Sequence, residues 1–378
     1  MEKYSGRVGL QQRVLPEYRA PFFDRLAQAC IGGLGVFAGG PLPSEQIRTT
    51  TQLNQAEFFP GRNRHFMQPA SPLYRCWQDG FLPWLQKWQP DVLIVEANPR
   101  YPITRSAIRW MHARNRPVIG WGLGLPSIPS RLSVAGLLAP FRRRQRIELV
   151  RSLDALIAYS QRGADEYLQA GVPAGRVFVA PNAVTSRPSQ PPPIRKREPG
   201  EKLVVLFVGR LQARKRVDLL LQACAALPAK AQPLLRIVGD GPARSDMEAE
   251  ALRVYPQAQF LGECHGSDLE ALFASADLFV LPGTGGLAVQ QAMAYGLPVV
   301  VAEGDGTQDD LVREENGWRV PAGDLQALIA VLRTALHDVE RLRRMGQESY
   351  RIVSQEVNIE QMATVFVQAI HAVTDRAS

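Results

Sequence analysis

Three short stretches in the second half of the 378-residue sequence set glycines beside cations or at a helix start. Gly209-Arg210 closes one apolar run, and Lys215 follows five residues after Arg210 where a helical pattern begins. Two cations near one helix terminus suit the paired charges of a diphosphate. Gly239-Asp240-Gly241-Pro242 is a tight turn in which glycine lets a ligand or a second backbone come close. Gly283-Thr284-Gly285-Gly286-Leu287 feeds the helical AVQQAMAYG, so main-chain N–H groups at a helix start form a cradle for an anion, with Gln291 in the helix behind. Singly, each is as much a turn as a site. Their succession carries the argument, because each follows an apolar run and open parallel sheets bind ligands at the carboxyl ends of their strands.

The elements that must position these residues read as two series of βα units. In the first half the apolar runs are RVGL (7–10), GVFA (35–38), DVLIVEA (91–97), PVIGWG (117–122), DALIAYS (154–160) and RVFVAP (176–181). In the second they are KLVVLFVG (202–209), PLLRIVGDG (233–241), AQFLG (258–262), DLFVLPG (277–283) and LPVVVAEG (297–304). Helical patterns between them predict an α/β chain of two doubly wound, Rossmann-like parallel sheets. Domains are expected at 1–185 and 201–350. A proline-rich linker at 186–200, SRPSQPPPIRKREPG, serves as hinge, and a C-terminal segment, 351–378, has a last helix that folds back on the first domain.

Composition narrows the class. An apolar content of 46% with 21% charge supports two cores, and 31 Gly and 29 Pro scattered without a period exclude collagen-like or low-complexity chains. Met1-Glu2-Lys3-Tyr4 leads into a strand without a cationic, apolar leader, and no apolar stretch reaches the roughly 18 residues of a spanning helix. A cytoplasmic protein is expected. Cys30, Cys76, Cys224 and Cys264 are far apart and without CxxC spacing, which reads as reduced thiols rather than a metal site or disulfide.

The net charge of +8 hides an asymmetry. Residues 1–200 carry 27 basic against 13 acidic side chains, and residues 201–378 carry 17 against 23. Nine arginines and one acid, Glu148, fall within 101–150. Such a stretch points to an anionic partner. The apolar Leu132–Phe141 run, followed at once by Arg142, Arg143, Arg144 and Arg146, has the pattern of a peripheral patch on an anionic membrane, or of a helix packed on the first domain. Nucleic acid is not expected, because the arginines lack the interleaved aromatics of a strand-binding platform.

VGRLQARKR, RIVGDGP, FLGECHGSDLEALFASADLFVLPG and GLAVQQAMAYGLPVV, followed by NGWRV, resemble the nucleotide-sugar half of family 4 (group 1) retaining glycosyltransferases of the GT-B fold. YRAPFFDRLA and DVLIVEANPRYP carry a looser likeness in the first half. The resemblance implies two Rossmann-like domains facing a cleft, with the sugar nucleotide on the second and the acceptor on the first. It also implies diphosphate contacts by Arg210 and Lys215, with no cofactor and no metal. Donor contacts would come from Gly209, Gly239, Gly241, Gly283, Gly285, Gly286, Leu287 and Gln291. The family's two glutamates are replaced here by Gly283 and Gln291, which leaves Glu303, Asp305, Asp309 and Asp310 as substitute carboxylates or as a solvated acidic loop. A histidine that many relatives place after a middle strand is missing from WGLGLP, and His112 reads as a helix-surface residue. For the acceptor, strand-end loops offer Tyr18, Arg19, Glu96, Asn98 and Arg100. The expected activity is transfer of a sugar to a glycan, lipid-linked or small-molecule acceptor in cell-envelope polysaccharide or glycolipid synthesis. The alternative is a non-catalytic module that binds nucleotide sugar or glycan.

Overall fold

The computed structural model describes residues 2–45, 47–69, 71, 73–125, 139–196, 200–304 and 306–375. It divides into two compact units, Met1–Val184 with Ile359–Ser378, and Thr185–Asn358.

The sheet of the first unit has seven parallel strands in the order β3-β2-β1-β6-β7-β8-β9. They are β1 Val8–Val14, β2 Leu34–Gly39, β3 Glu57–Pro60, β6 Val92–Glu96, β7 Val118–Gly122, β8 Ala155–Ala158 and β9 Val177–Val179. β4 Arg62–Phe66 and β5 Arg75–Asp79 form a separate antiparallel hairpin. The central strand β6 is apolar up to its terminal Glu96, as expected where helices cover both faces of a parallel sheet; Val92, Leu93, Ile94 and Val95 are fully buried. The helices are α1 Ala20–Ala27, α2 Phe81–Trp88, α3 Ile103–His112, α4 Ala139–Arg151 and α5 Gln161–Gln169.

The second unit repeats the plan with six parallel strands in the order β12-β11-β10-β13-β14-β15. These are β10 Val204–Val208, β11 Leu234–Val238, β12 Gln259–Gly262, β13 Leu278–Leu281, β14 Val299–Ala302 and β15 Gly317–Val320. Their helices are α6 Val217–Ala225, α7 Arg244–Val254, α8 Gly266–Ser275, α9 Leu287–Ala294, α10 Leu325–His337 and α11 Val339–Gln355. α12, Ile359–Thr374, then returns to the first unit, where the buried Phe366 ring meets Phe22 at 4.9 Å and Trp121 at 5.0 Å.

Two details differ from the sequence reading. Residue 351 lies inside α11, and the segment that joins the first unit begins at Ile359. The proline-rich stretch is strapped to the second unit rather than free: Arg195 donates to the carbonyls of Phe273 at 3.1 Å, Tyr295 at 2.7 Å and Gly296 at 3.3 Å. The Tyr350 hydroxyl donates to Gln190 O at 2.8 Å. Prolines supply no N–H, so side chains do the tying. Residues 197–199 of that stretch lie outside the described residues.

Candidate functional site

At the carboxyl edge of the second sheet, consecutive loops are laced backbone to backbone. Gly209 N donates to Val238 O at 3.0 Å, Leu211 N to Asp240 O at 2.9 Å, and Gly239 N to Gly262 O at 2.7 Å. This lacing is what the glycines of the GDGP turn serve. A Cβ on Gly239 would stand 2.1 Å from Gly209 O, at φ 129, and one on Gly241 would stand 2.3 Å from Leu211 O. Both positions are demanded by a neighbouring main chain.

The Ala213–Lys215 turn and the glycine turn after β13 are joined in the same way. Thr284 N donates to Arg214 O at 3.1 Å, and the Lys215 ammonium donates to Thr284 O at 2.8 Å and Gly285 O at 3.2 Å. Burial, helped by the neighbouring Arg214 charge, lowers the Lys215 pKa to about 8. Arg210 has no hydrogen bond or ion pair among the described residues. The edge therefore offers one unengaged guanidinium and one half-committed ammonium beside the start of α9. An oxyanion arriving there displaces lysine contacts to carbonyl oxygens and replaces them with contacts to charge.

Gly283 is not an empty place where a carboxylate has been deleted. A Cβ there would lie 2.2 Å from Arg214 O and 2.5 Å from Lys215 Cα, so the cation-bearing turn occupies that space. At Gly286 a Cβ would meet side chains instead, 2.3 Å from Leu281 Cδ2, which the leucine must move to relieve. Leu287, the first residue of α9, is partly exposed. Gln291 is exposed in the same helix with no side-chain hydrogen bond among the described residues, while its neighbour Gln290 is buried. Among the substitute carboxylates, Asp309 is paired with Arg319 at 2.8 Å and Glu303 is exposed. Asp305 lies outside the described residues.

The carboxyl edge of the first sheet is made of interlocked side chains. Arg19 is buried, donates to Asn182 Oδ1, and stacks on Trp121 at 4.9 Å and Tyr159 at 5.7 Å. Its Nη1 has no hydrogen-bond partner among the described residues. Tyr18, beside it, is exposed. Arg13 forks onto Glu45 with contacts of 2.9 and 2.8 Å, and its backbone N–H reaches Glu96 Oε1 at 2.9 Å. Burial pushes the Glu96 carboxyl above its ordinary range despite that bond. Burial also drives Glu45 upward, but the Arg13 fork and the Leu42 N–H outweigh it and hold Glu45 below its ordinary value.

Arg19 and Glu96 are thus brought into one polar cluster. Asn98 instead accepts at its side chain from Arg100 N at 3.1 Å and shapes the turn, and the Arg100 guanidinium has no hydrogen bond or ion pair among the described residues. Sequence reasoning missed Arg13, Glu45, Tyr159 and Asn182. Asn182 follows RVFVAP and was reachable by the strand-end rule, whereas nothing in the sequence links Arg13 to Glu45. His112 ends α3 and pairs with Asp154 at 2.9 Å beside the start of β7, at the opposite edge of the sheet.

Comparison with known proteins places this geometry. Residues 193–352 match the family model described as glycosyl transferases group 1. The sulfoquinovosyl transferase of Arabidopsis thaliana is 35% identical over 153 residues, covering 39% of this chain and 29% of that protein. A GDP-mannose-dependent alpha-mannosyltransferase of Mycobacterium tuberculosis is 36% identical over 135 residues, 35% of this chain and 34% of that protein. The chain thus spans about a third of the length of these relatives. Over nearly full length, 97% of this chain and 100% of the other, the fold superposes on HepE of Anabaena, solved in complex with UDP, with a TM-score of 0.69 and 20% identity. The two parallel-sheet units have the α/β GT-B fold, and the stretch that matches the group 1 glycosyl transferase model lies within the second unit.

Proposed function

We propose that the chain is a retaining glycosyltransferase of family 4 that moves a sugar from a nucleoside-diphosphate sugar to a glycan, lipid-linked or small-molecule acceptor in cell-envelope polysaccharide or glycolipid synthesis. One observation carries the reading: an unengaged Arg210 and an ammonium of lowered pKa, Lys215, stand at adjoining strand-end loops beside a glycine-fed helix start. Those cations would stabilise the departing diphosphate without a divalent metal. The matched relatives are named for sugar transfer, and HepE was solved with UDP, which supports a nucleotide-linked donor. The acceptor would meet the Arg19, Glu96 and Arg100 loops of the first unit. A peripheral contact at the inner face of the membrane through Leu132–Arg146 belongs to the same reading; residues 132–138 lie outside the described residues, and Phe141, Arg143 and Arg144 are exposed on α4.

Thermal-shift measurements with UDP, GDP, dTDP and ADP sugars test the donor. Stabilisation by one class is expected, and stabilisation by none defeats the reading. Turnover that survives chelation is expected as well, and rescue of a chelated enzyme by magnesium or manganese would overturn metal independence. The closed space at Gly283 favours a second reading, a non-catalytic module, because no carboxylate fits there without moving the Arg214–Lys215 turn. Donor hydrolysis without acceptor separates the two.

A further inference from the structure

The link between β3 and α2 does not run straight from strand to helix. It leaves at Gly61, makes the β4–β5 hairpin and returns at Gly80. One face of this ribbon is fixed to the first sheet's carboxyl edge. Asn63 donates to Arg13 O at 2.7 Å and Gly40 O at 2.8 Å, Gln78 to Gln12 O at 3.0 Å, and Cys76 N to Arg100 O at 2.9 Å. The pairing Arg62↔Asp79, Arg64↔Trp77 and Phe66↔Arg75 sends those six side chains to the other face.

That outer face is apolar and basic together. On it Phe66 is 56% exposed and Trp77 38%, and in the turn that closes the ribbon Met67 is 61% and Leu73 52% exposed. Arg62, Arg64 and Arg75 surround them. Asp79 is the one acid of the face and is taken by Arg64 at 2.5 Å. Arg75 meets only the Tyr74 carbonyl, and Arg62 has no ion-pair partner among the described residues. Met67 is held at φ 68, a left-handed conformation that unbranched apolar residues seldom take, where the ribbon leaves β4. An exposed apolar cluster rimmed by charge marks an interaction site.

We infer that this face docks on an anionic lipid surface, with Phe66, Met67, Leu73 and Trp77 entering the interface and the arginines resting on headgroups. Two properties favour lipid over a glycan or protein groove. The surface is the outer side of a two-stranded ribbon, not a concave pocket, and its aliphatic and aromatic side chains stand among cations, as at a membrane interface. The charge matches too, since the first 200 residues carry the basic excess of the chain. Docking does not rest on the glycosyl-transfer reading. Combined with it, docking would hold the Arg13 and Arg100 loops next to a bilayer that presents the acceptor.

The test is sedimentation of the full chain with phosphatidylglycerol–phosphatidylcholine vesicles and with phosphatidylcholine alone, at low and high salt. Salt-sensitive binding to the anionic vesicles is expected, falling about tenfold or more in a Phe66→Ser/Trp77→Ser variant. An Arg62→Ser/Arg75→Ser variant is expected to bind the two vesicle types alike. All four side chains point outward, so the variants should fold, which circular dichroism checks; slowed hydrogen exchange at 62–79 on anionic vesicles gives a readout without mutation. Absence of binding at low salt overturns the inference. So does binding untouched by the hairpin variants but lost in Arg142→Ser/Arg143→Ser/Arg144→Ser, or self-association or soluble-oligosaccharide binding that the hairpin variants abolish while vesicles are ignored.

Discussion

The two carboxyl edges share a sheet plan and are built from opposite materials. In the second unit the loops are glycine-rich, main chain packs on main chain, Lys215 is held by backbone carbonyls and Arg210 has no partner among the described residues. In the first unit the loops meet through side chains packed and paired on one another, as in the Arg13–Glu45 fork and the Arg19 stack on Trp121. An edge of backbone has little freedom to change where an added carbon meets a neighbouring main chain, as at Gly239, Gly241 and Gly283, and it offers fixed dipoles to an anion. An edge of paired side chains can be re-specified by exchanging a residue.

The contrast breaks most visibly at Gly239. Gly239→Ala puts a Cβ against Gly209 O at a φ that alanine avoids, and strain with overpacking together cost about 2–5 kcal/mol. A fall in denaturation midpoint, with nucleotide binding lost, is the expected result; a variant as stable as the parent would show that the loops are not tightly laced. Next in size is Lys215→Ala, for which loss of a charge-assisted bond predicts about 1.5–3 kcal/mol weaker binding of nucleoside diphosphate. Calorimetry reads it, and equal affinity removes the lysine from the site.

The pH dependence sharpens the same point. Free Lys215 loses its proton near pH 8, and a bound diphosphate favours the ammonium and raises that pKa. Affinity should therefore be full below pH 8 and decline as pH rises through it, with proton uptake on binding measurable in buffers of different ionisation enthalpy. A flat profile from pH 7 to about 9.5 contradicts this. The smallest effect is expected at Gln291→Glu. If this exposed residue faces the ribose, a carboxylate tightens nucleoside-diphosphate binding by about 0.5–1.5 kcal/mol, and marked weakening would place it elsewhere.

This difference in materials decides what could be read beforehand. The eleven apolar runs all became strands, most of them in the buried middle of a sheet, where a strand covered on both faces is largely apolar. Edge strand β3, with Glu57 and Pro60, and the polar hairpin strand Arg62–Phe66 lack that signature and were missed. β15 was visible only as the NGWRV motif. On the second unit's edge, function and sequence coincide because glycine is itself the signal. Even so, the sequence could not say that Gly239, Gly241 and Gly283 answer to a neighbouring backbone, nor that Lys215 rests on Thr284 O. On the first unit's edge, Arg13 and Glu45 sit 32 positions apart with no shared pattern, and only the folded sheet makes them partners.

The return of α12 to the first unit carries a consequence for biosynthesis. Phe366 seals an aromatic nest of Phe22 and Trp121, and Trp121 in turn supports the Arg19 guanidinium. A ribosome delivers the first 184 residues long before residue 366, so the nascent first unit must wait, with that nest open to water, while the whole second unit is made and folds. The opening unit is thus the last to be completed, and a chain released before α12 emerges would carry a finished second unit beside a first one whose aromatic nest still lacks its seal.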